Sequence, residues 1–188
     1  MTDHAGLQTP FVIDVKMLRE RARKHIESGA VTEGYGGDVK TACRILNEAL
    51  ATEIVCVLRY KRHFYMAQGI HSGPVKEEFL EHAKEEQQHA DRIAERIVQL
   101  GGAPDFSPKG LISRSHSEYV EGGSLLEMIK EDLVAERIAI DSYRQMAAYF
   151  ALSDTTTQRM IEEIQAAEEE HADNLAELLE RFPGSAAA

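Results

Sequence analysis

The sequence predicts an all-α protein built on a four-helix bundle. Ala, Glu, Leu and Arg are abundant, Pro is scarce and Trp is absent, so the composition favours helix. Four long segments carry apolar residues at helical spacing, and the connections between them run short, long, short. The 188 residues suffice for one domain with a sizeable core. These observations predict two helical hairpins joined by one long crossover.

An N-terminal arm, residues 1–37, precedes the predicted bundle. We expect its first 13 residues to be mobile, and we expect Asp14 to cap a short helix over roughly 15–28. The glycine-rich stretch 34–37 then serves as a linker. The arm is therefore expected to lie outside the bundle rather than to form part of it.

The bundle itself is predicted over residues 38–183, followed by a disordered tail at 184–188. Its first helix runs over 38–68 and stops at Gly69. The second helix starts near Pro74, a residue that suits a first helical position. Only about five residues connect the two helices, so they must be antiparallel neighbours.

The second hairpin follows a long connection, residues 102–123. Ser124 and Glu127 have the spacing of a capping box, which starts the third helix. Asp154 is placed to cap the fourth helix, which stops before Pro183. A helix of about 28 residues is about 42 Å long, whereas about 22 extended residues reach roughly 75 Å. The crossover can therefore run the length of the bundle.

The formal net charge of −11 argues against general nucleic-acid binding, which needs clustered Lys and Arg. We expect the locally basic run 19–25 to be a solvated helix face, so DNA is not an expected partner. No signal peptide and no apolar run of about 20 residues is visible, so we expect a cytoplasmic protein without a membrane span. Cys43 and Cys56 should point to opposite sides of one helix and stay unpaired, as in a reducing compartment.

One six-residue pattern, E-x-x-H-A-D, occurs twice in the predicted bundle. It places Glu86 and His89 on the second helix, and Glu168 and His171 on the fourth. The Glu and His of each copy share one helix face and can hold one metal ion together. Single E-x-x-H pairs are common on solvated helices, but two copies are a far more specific signal.

Each partner helix supplies one matching carboxylate. Glu53 lies 33 residues before the first E-x-x-H, and Glu136 lies 32 residues before the second. In an antiparallel hairpin, such spacing puts each lone Glu level with its E-x-x-H. Tyr60 and Tyr143 follow these glutamates by seven residues each, which returns to nearly the same helix face. The two halves therefore look like an internal duplication.

Glu53 and Glu136 lie among apolar residues, where an ionised carboxylate is costly unless it is paired or binds metal. Four carboxylates would balance the charge of two divalent ions if the imidazoles stay neutral. Carboxylate and imidazole ligands suit iron or manganese better than thiophilic metals, and this arrangement is that of a di-iron carboxylate bundle. The predicted metal ligands are Glu53, Glu86, His89, Glu136, Glu168 and His171.

Residues 45–179 resemble the bacterioferritin branch of the ferritin-like superfamily. The resemblance is carried by LNEALATE at 46–53 and HADRIAERI at 89–97, which are similar to the family's first-helix and second-helix motifs. It implies Fe(II) oxidation by dioxygen or peroxide at two iron ions per subunit, and storage of ferric mineral in a hollow homo-oligomer. Tyr60 corresponds to the family's redox-active tyrosine. The resemblance implies terminal ligands Glu53 and His89 for one iron, Glu136 and His171 for the other, and bridging carboxylates Glu86 and Glu168.

Two departures from that branch change the expectations. Bacterioferritins bind haem through a methionine directly after the bridging Glu of the second helix, where this chain has Gln87, so no haem is expected. They also carry a fifth helix after the fourth, whereas here the sequence ends within seven residues of Arg181. An arm precedes the first helix instead. This favours a smaller Dps-like dodecamer over a 24-subunit shell.

Other functions on the same scaffold stay open at this point. One is a di-iron or di-manganese enzyme that consumes peroxide, although the Cys-x-x-Cys domain of a rubrerythrin is absent and manganese catalases are generally longer. A Dps-like protein that protects DNA under oxidative stress is another, and a purely structural bundle is the last. His63, Glu81, His82 and Glu85 are placed to guide iron inward, but we expect them to be ordinary surface residues.

Overall fold

The computed structural model describes residues 11–181, and the regular structure within that range is helical. The helices are α1 (Val15–Arg21), α2 (Val39–Met66), α3 (Ser72–Gln99), α4 (Leu111–Arg114), α5 (Leu125–Phe150) and α6 (Thr155–Arg181), with one 3-10 turn at Ile26–Ser28. The all-α bundle is confirmed, with hairpins α2–α3 and α5–α6 joined by a crossover. The first ten residues of the expected mobile arm, and the expected tail, lie outside the described residues.

Polar side chains cap the helices where the sequence indicates helix starts. Asp14, Asp38 and Asp154 each accept a hydrogen bond from a backbone N–H of the first helical turn, at 2.9, 3.2 and 2.9 Å. Ser124 caps α5 in the same way, and the Glu127 carboxylate accepts from the N–H one residue before Ser124. These contacts are local in sequence, which explains why the helix starts can be read from it.

Three elements differ from their predicted bounds. The short helix of the arm, α1, does not continue to residue 28 as predicted. His25 adopts a left-handed conformation with φ of 49° and separates α1 from the 3-10 turn. Helix α3 begins at Ser72, two residues before Pro74, whose missing N–H does no harm within a first helical turn. The crossover contains the short helix α4, which the Gly-, Pro- and Ser-rich sequence did not predict.

The core contains two large apolar clusters, and each long helix contributes to both. A third, small cluster joins α2 to α4 through Ala51, Val55 and Leu111. One large cluster includes Leu46, Leu50, Ile93, Ile97, Tyr143, Phe150, Ile161 and Ile164. The other large cluster includes Tyr60, Phe79, Ile129 and Leu175. Burial of such side chains contributes about 1.5–3 kcal/mol each. Because the two large clusters occupy different levels of the bundle, the level between them is enclosed on both sides.

The glycine-rich linker is docked onto the bundle. The Tyr35 hydroxyl donates a hydrogen bond to Asp154 Oδ2 at 2.9 Å. Arg96 donates to both oxygens of the same carboxylate, at 2.9 and 3.0 Å. The linker, α3 and the start of α6 are thereby tied together at one end of the bundle.

A buried polar network holds the end of the crossover, and we name it the crossover clasp (Arg59, His63, Ser117, Val120 and Asp132). Arg59 donates to Asp132 Oδ1 at 2.7 Å and to Ser117 Oγ at 3.0 Å. His63 contacts Asp132 Oδ2 at 2.8 Å and the Val120 carbonyl oxygen at 3.1 Å. The expectation that His63 is a partly exposed surface residue was wrong, because this network buries it fully.

Two general features follow from the helices. Within residues 11–181, no helix combines the length and the apolar character needed to cross a membrane. Cys43 and Cys56 are unpaired, as predicted. Burial raises the pKa of the Cys56 thiol well above its usual range, so that thiol is a protonated packing group rather than a nucleophile.

We predict that Asp132→Ala lowers the free energy of unfolding by about 3–5 kcal/mol, because it leaves the Arg59 guanidinium buried without its counter-charge. Equilibrium unfolding in urea measures the change. Asp141→Ala on the same helix is the control, since Asp141 pairs with Arg144 at the surface and its loss should cost less than about 1 kcal/mol. Equal effects of the two substitutions would show that the clasp contributes little.

Candidate metal centre

Six polar side chains meet near the middle of the bundle, and they are the six that the sequence predicts as ligands. Each long helix supplies one glutamate, and α3 and α6 each add a histidine one turn later. All are at most 5 % exposed: Glu53 (α2), Glu86 and His89 (α3), Glu136 (α5), Glu168 and His171 (α6). The enclosed level between the apolar clusters is therefore a carboxylate and imidazole site.

One half of the site is built around His89. Its Nδ1 lies 3.4 Å from Glu53 Oε2, 3.6 Å from Glu86 Oε2 and 3.1 Å from Glu168 Oε1. Each of the four residues offers one ligand atom, and all these atoms lie within 4.8 Å of one another. One cation can therefore be ligated by all four residues at once.

The other half is built around His171. Its Nδ1 lies 3.1 Å from Glu168 Oε2, 3.6 Å from Glu86 Oε1 and 3.8 Å from Glu136 Oε2. These four residues also bring their ligand atoms within 4.8 Å of one another. Glu86 and Glu168 belong to both halves. Each directs one carboxylate oxygen toward His89 and the other toward His171. The arrangement thus offers two cation positions that share two carboxylates.

Seven of the atoms that face the two positions lack hydrogen-bond partners among residues 11–181. They are Glu53 Oε2, Glu86 Oε1, His89 Nδ1, Glu136 Oε2, both carboxylate oxygens of Glu168, and His171 Nδ1. Buried polar atoms are nearly always satisfied, so a convergence of unsatisfied ones needs an explanation. Divalent cations would satisfy all of them, and the oxygen and nitrogen donor set fits iron or manganese.

Burial and mutual repulsion shift the pKa values of the site. Burial, reinforced by the Glu86 charge, raises the pKa of Glu136 to about 8. Burial, with Glu86 and Glu168, also raises the pKa of Glu53 well above its usual range. Burial alone would lower the pKa of His89, but three neighbouring carboxylates, Glu168 first, raise it to about 12. Without metal, the site therefore holds protons where cations would bind.

Tyr60, the predicted redox-active tyrosine, lies directly beside the site. It is fully buried, and its hydroxyl donates a hydrogen bond to Glu136 Oε1, so that Oε2 faces the second cation position. His82 Nδ1 lies 3.1 Å from the same hydroxyl. Tyr143, the counterpart in the other half, is equally buried, but its hydroxyl has no hydrogen-bond partner in the described part of the chain. The duplication is incomplete at this point.

Two residues expected at the surface belong to the surroundings of the site. Glu85 Oε2 contacts His171 Nε2 at 2.6 Å, which favours a proton on Nε2 and leaves the lone pair of Nδ1 available to a cation. His82 is 1 % exposed and stacks on His171, with ring centroids 4.0 Å apart. The sequence did contain a signal that His82 lies near the site, because His82 is four residues before Glu86 and therefore on the same helix face. Glu81 is exposed, as expected.

Comparison with known proteins agrees with this geometry. The family model for the ferritin-like domain matches residues 43–185. A nutrient stress-induced DNA-binding protein from Nostoc sp. is 33% identical over 137 residues, which cover 71% of this chain and 74% of the relative. A bacterioferritin from Mycobacterium avium is 30% identical over 138 residues, which cover 73% of this chain and 82% of the relative.

A solved structure shows the same relationship in three dimensions. It is a dodecameric thioferritin, the bacterioferritin-related protein of Bacteroides fragilis, which is 32% identical with a TM-score of 0.74. The match covers 77% of this chain and 87% of that one. The family match spans most of the sequence and contains all six residues of the site. The chain therefore belongs to the ferritin-like family.

Proposed function

We propose that the protein is a ferroxidase, which takes up two Fe(II) ions at the buried site and oxidises them with dioxygen or hydrogen peroxide. The observation that carries this proposal is the sharing of Glu86 and Glu168 between two groups of converging ligand atoms. Shared carboxylates hold two cations close together, which suits a two-electron oxidant. The proposed ligands are Glu53, Glu86, His89, Glu136, Glu168 and His171.

The proposed reaction takes one electron from each Fe(II). With dioxygen, two electrons and two protons give hydrogen peroxide, and with peroxide, two electrons and two protons give two water molecules. Four carboxylates balance two Fe(II), but two Fe(III) leave two positive charges uncompensated in a buried site. This excess favours release of the ferric product toward storage.

Manganese(II) has the same charge and similar ligand preferences, so it would fit the same two positions. This fit is the basis of the alternative function, an enzyme that consumes peroxide at a di-manganese or di-iron pair.

We assign Tyr60 a redox role next to the Fe(II) pair. In this role Tyr60 passes one electron from Fe(II) to the oxidant: the phenol loses an electron and its proton, and regains both when Fe(II) reduces the tyrosyl radical, so the two electrons still come from the two Fe(II). The Tyr60 hydroxyl donates a hydrogen bond to Glu136, and that carboxylate can accept the proton. This direct contact with a proposed ligand is the support for the assignment.

We further propose a hollow homo-oligomer, with twelve chains favoured over 24, that stores ferric iron in the cytoplasm. The Bacteroides fragilis relative is described as dodecameric. Large apolar side chains are exposed on the single chain, including Ile70 at 93% and Leu152 at 99%, and contacts between subunits would cover them. The unpaired Cys43 and Cys56 fit a reducing compartment.

DNA protection is the second candidate, because the Nostoc relative is named as a DNA-binding protein. The basic segment 19–25 is exposed, as that function would need. However, Arg21 and Lys24 lie 4.0 and 3.2 Å from the Glu33 carboxylate, which offsets part of their charge. Together with a net charge of −11, this makes iron oxidation the stronger proposal.

Anaerobic loading of the metal-free protein with Fe(II), followed by either oxidant, should give a fast rise in ferric absorbance that saturates at about two irons per chain. Replacement of both shared ligands, Glu86→Ala with Glu168→Ala, should abolish the fast phase. Tyr60→Phe should keep the stoichiometry and slow the phase roughly tenfold.

The matched control is Glu95→Ala with Glu170→Ala, which removes two exposed glutamates from the same two helices. It should leave the fast phase unchanged. If the unmodified protein shows no fast phase with either oxidant, the ferroxidase proposal fails.

The metal-free protein should become less stable as the pH rises through neutrality. The pKa of Glu136 is about 8 in the folded chain against an ordinary 4.5, so folding takes up a proton in that range, and the associated stability is lost as pH rises. The urea midpoint should fall between about pH 5.5 and about pH 8.5. Co(II), which displaces these protons, should stabilise the protein more strongly at the higher pH.

The control for this pH dependence is Glu53→Gln with Glu136→Gln, which removes the two carboxyl groups with raised pKa values. Its midpoint should vary less with pH over the same range. A midpoint of the unmodified protein that rises with pH would contradict the protonated metal-free site.

Multi-angle light scattering should give the assembled protein a mass of about 250 kDa, as expected for twelve chains of 21.0 kDa. A mass of about 500 kDa would favour 24 chains instead. A mass of about 21 kDa would contradict a cage of either size.

A further inference from the structure

A polar stripe runs along α3 from the surface to the metal site. Glu78, His82 and Glu85 are four and three residues apart, so they share one helix face. The side chains of Glu78 and Glu85 are 26% and 43% exposed, whereas that of His82 is 1% exposed. The stripe therefore joins carboxylates that solvent can reach to a buried imidazole beside the site.

The hydrogen bonds around Tyr60 determine which nitrogen of His82 carries its proton. The Tyr60 hydroxyl donates its single hydrogen to Glu136 Oε1. The Tyr60 oxygen then accepts a hydrogen bond from His82 Nδ1, 3.1 Å away. A neutral imidazole has only one N–H, so His82 Nε2 is left with a bare lone pair.

That lone pair lies next to a second acceptor. His82 Nε2 is 3.0 Å from Glu78 Oε1, yet it has no hydrogen-bond partner among the residues described. The distance between these two atoms is short enough for a hydrogen bond, so the angle at which they meet must be the reason that none forms. When two ligand atoms bind one cation at right angles, each about 2.1 Å from it, the two atoms lie about 3 Å apart. The lone pair of each atom then points at the cation and not at the other atom. The pair thus has the spacing of two ligands of one cation.

The other half of the duplicated bundle lacks this stripe. Shifted by the 82 residues that separate the two E-x-x-H copies, the stripe falls on Met160, Ile164 and Ala167, which are all apolar. Ile164 is fully buried. The stripe is therefore an addition to one half of the molecule, and the repeated ligand pattern does not account for it.

We propose that Glu78 and His82 form a third divalent-cation position, outside the site, which receives Fe(II) from solvent and passes it inward. This inference rests on the proposed ferroxidase function, because it states how that site is filled. The partly exposed Glu78 carboxylate attracts the cation, and the buried His82 nitrogen holds it. The inward step is short, since the His82 ring stacks on the ring of His171, a proposed ligand, with centroids 4.0 Å apart.

Metal counting on the full-length, assembled protein tests the third position, with Co(II) as the probe because it accepts the same nitrogen and oxygen ligands. The unmodified protein should bind about three Co(II) per chain and Glu78→Gln about two. The control Glu77→Gln changes an exposed neighbour on the same helix and should bind about three. Anomalous diffraction from cobalt should place the third ion between Glu78 and His82.

Iron uptake gives a second measurement. Glu78→Gln should reach the same final number of oxidised irons per chain as the unmodified protein, but should fill the site roughly tenfold more slowly. Glu77→Gln should fill it at the unmodified rate.

The outcomes separate the third position from the proposed ferroxidase site. Two Co(II) per chain in both the unmodified protein and Glu78→Gln would overturn the third position and leave the site intact. Fewer than two in the unmodified protein would overturn both. Loss of the third ion in Glu77→Gln as well would also overturn the third position, because it would indicate unspecific binding to an acidic surface.

Discussion

Four carboxylates and two imidazoles are buried away from water in the middle of this bundle. The rest of the structure must compensate the desolvation free energy of these groups. An ionised carboxylate removed from water costs several kcal/mol unless a proton or a cation compensates it. Protons compensate it in the metal-free chain, where the pKa values of Glu53 and Glu136 are raised. The apolar clusters on either side exclude water, so a cation bound at this site would lie in a low-dielectric space.

Convergence of six polar side chains from four helices requires that the helices keep their relative positions along the bundle. Contacts at both ends fix those positions. At one end, Asp154 joins the linker to α3 and α6 through Tyr35 and Arg96. At the other, the crossover clasp joins α2 and α5 to the end of the crossover. Ligands on long, doubly fixed helices can be placed more accurately than ligands on loops.

The sequence predicted those parts of the molecule that depend on helical spacing and local caps. The six residues of the site could be found because Glu53, Glu136 and the two E-x-x-H copies obey the period of a helix and the geometry of a hairpin. His63 could not be placed, because the crossover that covers it is distant in sequence. The helix face of His82 could be read from its spacing to Glu86, but its contact with Tyr60 depends on how α2 packs against α3. The interruption of the arm helix at His25 depends on a single backbone conformation that the local sequence does not predict.

The crossover clasp also limits how one chain can combine with another. It fixes residues 117–120 to α2 of the same chain, and α5 begins at Leu125. The few residues between them can extend only about 15 Å. While the clasp is closed, the second hairpin cannot reach into a neighbouring copy, so exchange of identical hairpins by domain swapping is disfavoured. Chains that fold in a crowded assembly would each complete a bundle, and a buried site, from their own residues.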